Sequence, residues 1–230
     1  MALQEVGPEL WIAEGDCVSF YGFPYPTRSV IARLADGGLW VWSPVALTDD
    51  IREAVEALGP VRHLVAPNSL HHSFLAEWAA AYPDAQVHAA PGLTQEVAAT
   101  AIHSVLDDEP DPAWAGVVDQ VIVRGNRITT EAVFYHRESA TVLVTDWIQQ
   151  IPQGWFHGWR AVVARLDLMT APTPSVPRKF RMATTDRDAA RDSVRRILER
   201  PADRLVMAHG APVPSGGKAA LQHSFDWLLR

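Results

Sequence analysis

Val61-Arg-His-Leu-Val-Ala-Pro-Asn-Ser-Leu-His-His-Ser-Phe-Leu-Ala-Glu-Trp78 runs from an apolar segment, through two adjacent histidines, into an amphipathic one. Arg62–Ala66 reads as a buried strand, and the pattern from about Ser73 to Tyr82 predicts a helix that Pro83 ends. His71 and His72 therefore stand where a strand hands over to a helix. Two imidazoles at such a place either pack and cap, or form half of a metal site. The rest of the chain decides between these.

The next segment, Gln86–Ala89, is a second strand, and strand–helix–strand alternation marks a sheet covered by helices. Upstream, Thr48 is an N-cap for a helix with Ile51, Val55 and Leu58 on one face, stopped by Gly59-Pro60. Before it come strands at Leu10–Ala13 and Cys17–Tyr21, with Gly22–Thr27 as a rigid Pro-containing loop. Strands Val30–Leu34 and Leu39–Trp42 then flank the hairpin signal Ala35-Asp-Gly-Gly38. Downstream, Gln95–Ser104 reads as helical and Asp107–Asp111 as loop. Strands follow at Gln120–Arg124, Ala132–Tyr135 and Thr141–Thr145, the last two joined by a hairpin turn at His136–Ala140 that exposes His136. Trp147–Pro177 is aromatic and Pro-rich, with a helical piece at Arg160–Leu168, and reads as a covering or interaction loop. Asp186–Glu199 is a helix with alternating charges on its outer face, Arg204–Ala208 a buried strand and Gly217–Leu229 a closing helix. Two blocks of strands with helices outside predict an α+β chain, a four-layer αββα sandwich formed by residues 1–230 as one domain.

Bulk composition narrows the function classes. The 230 residues suffice for a real core, and 48% apolar with 20% charged is ordinary for a globular chain. A net charge of −7 with no basic cluster argues against nucleic acid and anionic membrane as partners, and leaves a small molecule as the expected one. Cys17 is the one cysteine, so neither a disulfide framework nor a Cys-based zinc site is expected. No signal-peptide pattern and no spanning apolar run is read, so the expected location is the cytoplasm. Among the nine tryptophans, Trp40 and Trp42 sit at period two and read as core.

Three positions stand where an apolar strand stops: His71/His72, Asp146 and His209. Side chains at strand ends converge on one rim of packed sheets, so residues distant in sequence can meet there. Asp146 follows Thr141-Val-Leu-Val-Thr145. His209 follows Leu205-Val-Met-Ala208 and precedes Gly210, which permits close backbone approach. Imidazoles with one carboxylate make a donor set for a divalent first-row metal.

Leu10-Trp-Ile-Ala-Glu-Gly15, Phe20-Tyr-Gly-Phe-Pro-Tyr-Pro26, Trp40-Val-Trp-Ser-Pro44 and Val61-Arg-His-Leu-Val-Ala-Pro-Asn68 resemble phrases of one family. Across essentially its full length the chain resembles the metallo-β-lactamase superfamily, in its divergent branch called domain of unknown function 4336. The resemblance implies an αββα fold. It also implies a motif His-x-His-x-Asp-His, which falls on Pro67-Asn-Ser-Leu-His-His72. Pro67 and Ser69 replace the leading histidines, His71 replaces the aspartate, and His72 is kept. The third ligand of the first metal falls near Arg127. The bridging aspartate falls on Asp146 and the final histidine on His209. The first metal's histidines are thus lost, while the second metal's positions keep His71, His72, Asp146 and His209. His71 either binds the ion or orients another ligand.

These readings imply a hydrolase with one divalent metal, zinc by default, with iron or manganese fitting the same ligands. The ion would activate water against an ester, lactone, thioester or phosphoester, and Asp146 is the candidate catalytic carboxylate. Arg28, Arg127 and His157 are candidate substrate-binding residues: Arg28 for a substrate carboxylate, Arg127 as a charge in place of the lost metal, and His157 at a pocket mouth. The alternative is a non-catalytic binding or scaffold protein with a structural metal or none. In that case the loop from Trp147 to Pro177 would be a partner surface or a homodimer arm. A redox enzyme using iron is a third reading. His63, His88, His103 and His223 carry no pattern.

Overall fold

The architecture comes from a computed structural model that describes residues 2–93 and 100–230. The chain opens with β1 (Gln4–Gly7), β2 (Leu10–Phe20), β3 (Phe23–Arg33) and β4 (Leu39–Trp42). Then follow α1 (Asp49–Leu58), β5 (Val61–Ala66), α2 (Leu75–Ala81), β6 (Gln86–Ala89) and β7 (Ser104–Val105). The second half holds β8 (Val118–Val123), β9 (Glu131–His136), β10 (Thr141–Val144), α3 (Trp159–Leu166), α4 (Arg178–Ala183), α5 (Arg187–Leu198), β11 (Arg204–Met207) and α6 (Gly217–Leu229). Strands β1 to β7 form one sheet in sequence order, and the other has the order β11-β10-β9-β8. The first sheet is antiparallel through β4 and parallel from β4 to β7, while β10 and β11 are parallel neighbours in the second.

Strand alternation divides the apolar residues between three layers of packing. Trp40, Trp42 and Val65 from the first sheet meet Ile122, Phe134, Leu143 and Val206 from the second. Trp40 sits edge-on to Phe134, with ring centres 5.0 Å apart. The opposite face of the first sheet, with Val41, Leu64 and Ala66, packs under Ile51 and Val55 of α1 and Leu75 and Trp78 of α2. Trp78 also donates from Nε1 to the Val45 carbonyl at 2.7 Å. On the far side, Val142, Val144, Leu205 and Met207 pack under α5 and α6. The four-layer αββα sandwich expected from the block pattern is the observed fold.

Thr48 caps α1, its side chain accepting from Ile51 N, and the Ala35–Gly38 hairpin closes between β3 and β4. Elsewhere the structure differs from expectation. Gly22–Thr27 is no loop: β2 and β3 form one long hairpin arm that turns at Tyr21-Gly22. β4 pairs only with Val30–Arg33, so the arm carrying Pro24 and Pro26 has no partner on that edge, which is where proline is tolerated in a sheet. Residues 95–99 of the helical reading Gln95–Ser104 lie outside the described residues, and its other half, residues 100–104, is not helical but leads into β7. His136 is fully buried at the end of β9, not exposed, because β8 and β10 flank it on both sides. Strand β1 and the short helix α4 had no counterpart in the sequence reading. Among the described residues, no helix is long and apolar enough to cross a membrane.

Candidate metal centre

The parallel strands β4, β5, β10 and β11 end at one rim, and the residues just past their ends build the site. His71 Nε2 lies 3.1 Å from His209 Nε2 and 3.3 Å from an Asp146 oxygen, while His209 Nε2 lies 3.4 Å from the other Asp146 oxygen. Among the described residues these three form a group able to hold a metal ion.

Each is aimed by a buried polar frame. Asn68, just past β5, accepts the N–H groups of Leu70 and His71 at its side-chain oxygen, which turns the chain so that His71 faces the site. Its amide nitrogen donates 2.8 Å bonds to Asp146 Oδ2 and to Thr145 Oγ1. Glu131, at the start of β9, accepts the backbone N–H groups of Thr145, Asp146 and Trp147 at 2.6, 2.9 and 3.1 Å. Ser43, past β4, places its hydroxyl 2.8 Å from His71 Nδ1. It does so at φ 50°, a left-handed backbone that a side-chain-bearing residue seldom adopts. His209 Nδ1 lies 2.7 Å from the Pro26 carbonyl of the β3 arm. Gly210 completes the turn, since a Cβ there would stand 2.8 Å from the Gln150 carbonyl.

The electrostatics favour a cation. A carbonyl only accepts, so His209 Nδ1 carries the hydrogen, and Nε2 is the nitrogen turned toward Asp146 and open to an ion. Burial lowers the His71 pKa, with Asp146 opposing, and keeps that ring neutral as a ligand must be. Burial alone would raise the Asp146 carboxyl, but His71 and His209 hold it well below the ordinary value. Glu131 is pushed up to about 7, by burial first and then by Asp146, against the backbone N–H groups it accepts. Ligands about 2.0–2.2 Å from a tetrahedral ion stand about 3.3–3.6 Å from one another. The two ring nitrogens, 3.1 Å apart, are close to that, each lies 3.3–3.4 Å from one of the two Asp146 oxygens, and two nitrogens with a carboxylate suit a divalent first-row ion. The residues fit the group.

The structure thus brings together His71, Asp146 and His209 of the four expected ligands and leaves His72 outside the trio, on the wall of an adjoining cavity. The three expected substrate contacts are placed elsewhere. Arg28 is buried and spent: its guanidinium donates to the Met207 carbonyl at 2.5 Å, to the Gly210 carbonyl and to Glu14. Arg127 is exposed, and the neighbouring Ile128 lines the cavity instead. His157 is exposed while Phe156 beside it turns inward. Ser69, which the resemblance puts in place of a histidine, shares a 3.1 Å hydrogen bond with Thr129.

The cavity, of about 1160 Å³, opens between the β2–β3 arm, α3 and α4, with the trio at its floor. Two residues the sequence reading passed over sit in it. Lys179 donates from Nζ to the Tyr25 hydroxyl at 2.8 Å, and the Tyr25 ring lies 5.1 Å from that of His209. Burial works against the Lys179 charge, but Tyr25, Asp167 and Asp146 raise its pKa and keep it cationic.

Comparison with known proteins fits this architecture. The family described as domain of unknown function (DUF4336) matches residues 10–195. No curated protein matches the chain. Among solved structures, a metallo-beta-lactamase from Pontibacter korlensis is similar at 12% identity and TM-score 0.65, over 98% of this chain and 97% of that one. A metallo-beta-lactamase from Erythrobacter litoralis is similar at 15% identity and TM-score 0.64, over 98% and 91%. The Flv1 flavodiiron core from Synechocystis sp. PCC6803 gives 12% identity and TM-score 0.66, over 98% of this chain and 60% of that one. At such identities the likeness is one of fold. Matched by the family over most of its length, the chain belongs to the DUF4336 family and carries the metallo-β-lactamase fold.

Proposed function

We propose that this protein is a hydrolase dependent on one divalent metal ion, held by His71, Asp146 and His209. The observation that carries the reading is the trio itself: one ligand atom from each of three residues within 4.8 Å of one another, two of them on rings whose opposite nitrogens are already engaged. A bound ion of this kind lowers the pKa of water and polarises a carbonyl or phosphoryl oxygen. Structural zinc sites are closed by four protein ligands, whereas catalytic ones use three and keep an open position. Three ligands at the floor of a large cavity favour catalysis over a purely structural metal.

The chain's own groups divide the work. Ser43 and the Pro26 carbonyl fix the two rings, so that binding an ion displaces the proton shared by the two Nε2 atoms without moving the rings' far sides. Asn68 and Glu131 hold Asp146, whose depressed pKa suits a ligand and not a carrier of protons near neutrality. Tyr25 and Lys179 present a hydroxyl and a cation to whatever occupies the cavity. Zinc is the metal proposed, and esters, lactones, thioesters or phosphoesters the substrates.

Elemental analysis and metal titration test the reading. Protein purified without added metal is expected to carry, or to take up, about one equivalent of zinc. His71→Ala, His209→Ala and Asp146→Asn are expected to lose it, while His72→Ala retains it. Turnover on a panel of the four ester classes should disappear in Asp146→Asn. A wild-type protein that binds no divalent ion, or an Asp146→Asn variant that still hydrolyses, would overturn the proposal.

A further inference from the structure

The wall of the cavity is apolar to a degree that a small polar substrate does not need. Val18, Phe20 and Phe23 of the β2–β3 arm face Val163 and Leu166 of α3 across it. Phe23 also meets Trp159 edge-on, with ring centres 5.4 Å apart, which ties the arm to α3. Toward the mouth the same wall stays open to solvent, with Leu166 56% and Met182 of α4 77% exposed. Exposed apolar surface of this kind marks a binding site. At about 1160 Å³ the space lies above the usual 300–1,000 Å³ of small-molecule pockets.

Two cations line this cavity, the exposed Arg178 and the half-buried Lys179. Lys179 is held by Tyr25, whose hydroxyl accepts from Nζ and donates to Met169 Sδ. Asp167 Oδ2 lies farther from Nζ, at 3.4 Å, and its Oδ1 is engaged by the backbone N–H of Lys179. An ammonium has three donors. The side chain remains 35% exposed to the cavity space it lines, so it is reachable by a ligand.

We propose that the cavity takes a chain-bearing anion, a substrate whose carboxylate or phosphate group is received by Lys179 while its alkyl chain lies along Val18, Phe20, Phe23, Val163 and Leu166. This names the substrate class of the proposed hydrolase and rests on that reading. The concave wall and the cation held in it by Tyr25 distinguish it from a flat face suited to a second copy of the chain. Tyr25 is a positioning residue, because it acts by aiming Lys179.

The test is binding of a homologous series, hexanoate to tetradecanoate, by calorimetry below their micellar concentrations. Matched alkanols and alkyl phosphates serve as the other arms. Affinity is expected to rise with chain length, up to about fourfold per methylene, the value for complete burial. Carboxylates or phosphates should bind roughly tenfold or more tightly than alkanols. Lys179→Met should remove the preference for the anion and Lys179→Arg restore it. Leu166→Asp, at an exposed position and so at a small cost to folding, should flatten the dependence on chain length. The same series on chelator-treated protein separates the two proposals. Chain binding there, with no metal uptake, sinks the hydrolase reading alone. A wild-type protein that takes up zinc but binds hexanoate and dodecanoate equally, or alkanol as well as acid, sinks this inference. So does a concentration-dependent dimer that occludes the cavity.

Discussion

Glu131 has no exposed surface and stands beside a second carboxylate, Asp146, because its oxygens accept the N–H groups of Thr145, Asp146 and Trp147. Such a cradle is specific to an acceptor-only group. In Glu131→Gln the amide NH₂ must face at least one of those N–H donors, leaving it buried without a partner. The expected cost is about 1–3 kcal/mol, read from the midpoint of urea unfolding. Zinc affinity should fall with it, since the same backbone aims Asp146. An unchanged midpoint and affinity would show that the cradle is dispensable. Nothing in Thr129-Thr-Glu-Ala-Val-Phe134 announces this role, because the residues Glu131 serves are a strand away. The proposed ligands were more legible. Asp146 and His209 follow apolar strands directly, and strand ends meet at a rim. Choosing between His71 and His72 was beyond the sequence: the Asn68 side chain, accepting from Leu70 and His71, decides which of the two turns inward.

The β2–β3 arm shows what local signals misjudge in a long element. Two prolines within Phe23–Arg33 read as loop, yet they sit where β4 no longer reaches and the ladder has one free edge. That arm does more than complete the sheet. It supplies the Pro26 carbonyl that fixes His209, and Arg28, which reaches the carbonyls of Met207 and Gly210 on either side of the same histidine. Arg28 reads as a substrate-binding side chain on a rigid loop, since the strand that buries it, β11, lies far along the chain. Arg28→Met should leave both carbonyls without their donor, at about 2–4 kcal/mol, and should loosen the His209 turn. Lys at the same position keeps a charge but not the fork, and is expected to recover only part of the loss. Urea unfolding of the two variants beside the wild type checks the order. Equal stability of all three would mean that the β11 turn holds itself. The helix α4 was missed for a different reason: six residues give too little periodicity to read, although they carry Lys179 into the cavity.

The two sheets bury more than apolar side chains between and beside them, and this sets how the fold responds to acid. Alternating apolar strands with helices outside were enough to read the sandwich, because period-two burial is a local signal. Buried histidines were not readable in this way, since a hairpin sequence does not say what packs on either side. His136 has no exposed surface, and burial lowers its pKa to about 4. His88, stacked edge-on against Trp114 and 3.1 Å from His63, is likewise lowered to about 4, by burial first and then by His63. His63 is shifted in the same direction. An unfolded histidine titrates near 6.5. Between about pH 6.5 and 4 the unfolded chain therefore binds protons that the folded one refuses, and stability falls as pH falls through that window. By pH 5 the loss is about 2 kcal/mol for each of His88 and His136. His136→Asn isolates one share, because its side-chain oxygen can replace Nδ1 as acceptor for Ser139 N while removing the titration. Whatever the substitution does to stability at pH 7, the drop from pH 7 to pH 5 should shrink by about 2 kcal/mol, measured by urea unfolding at both values. A variant whose drop equals that of the wild type would mean that His136 is already protonated, or solvated, inside the fold.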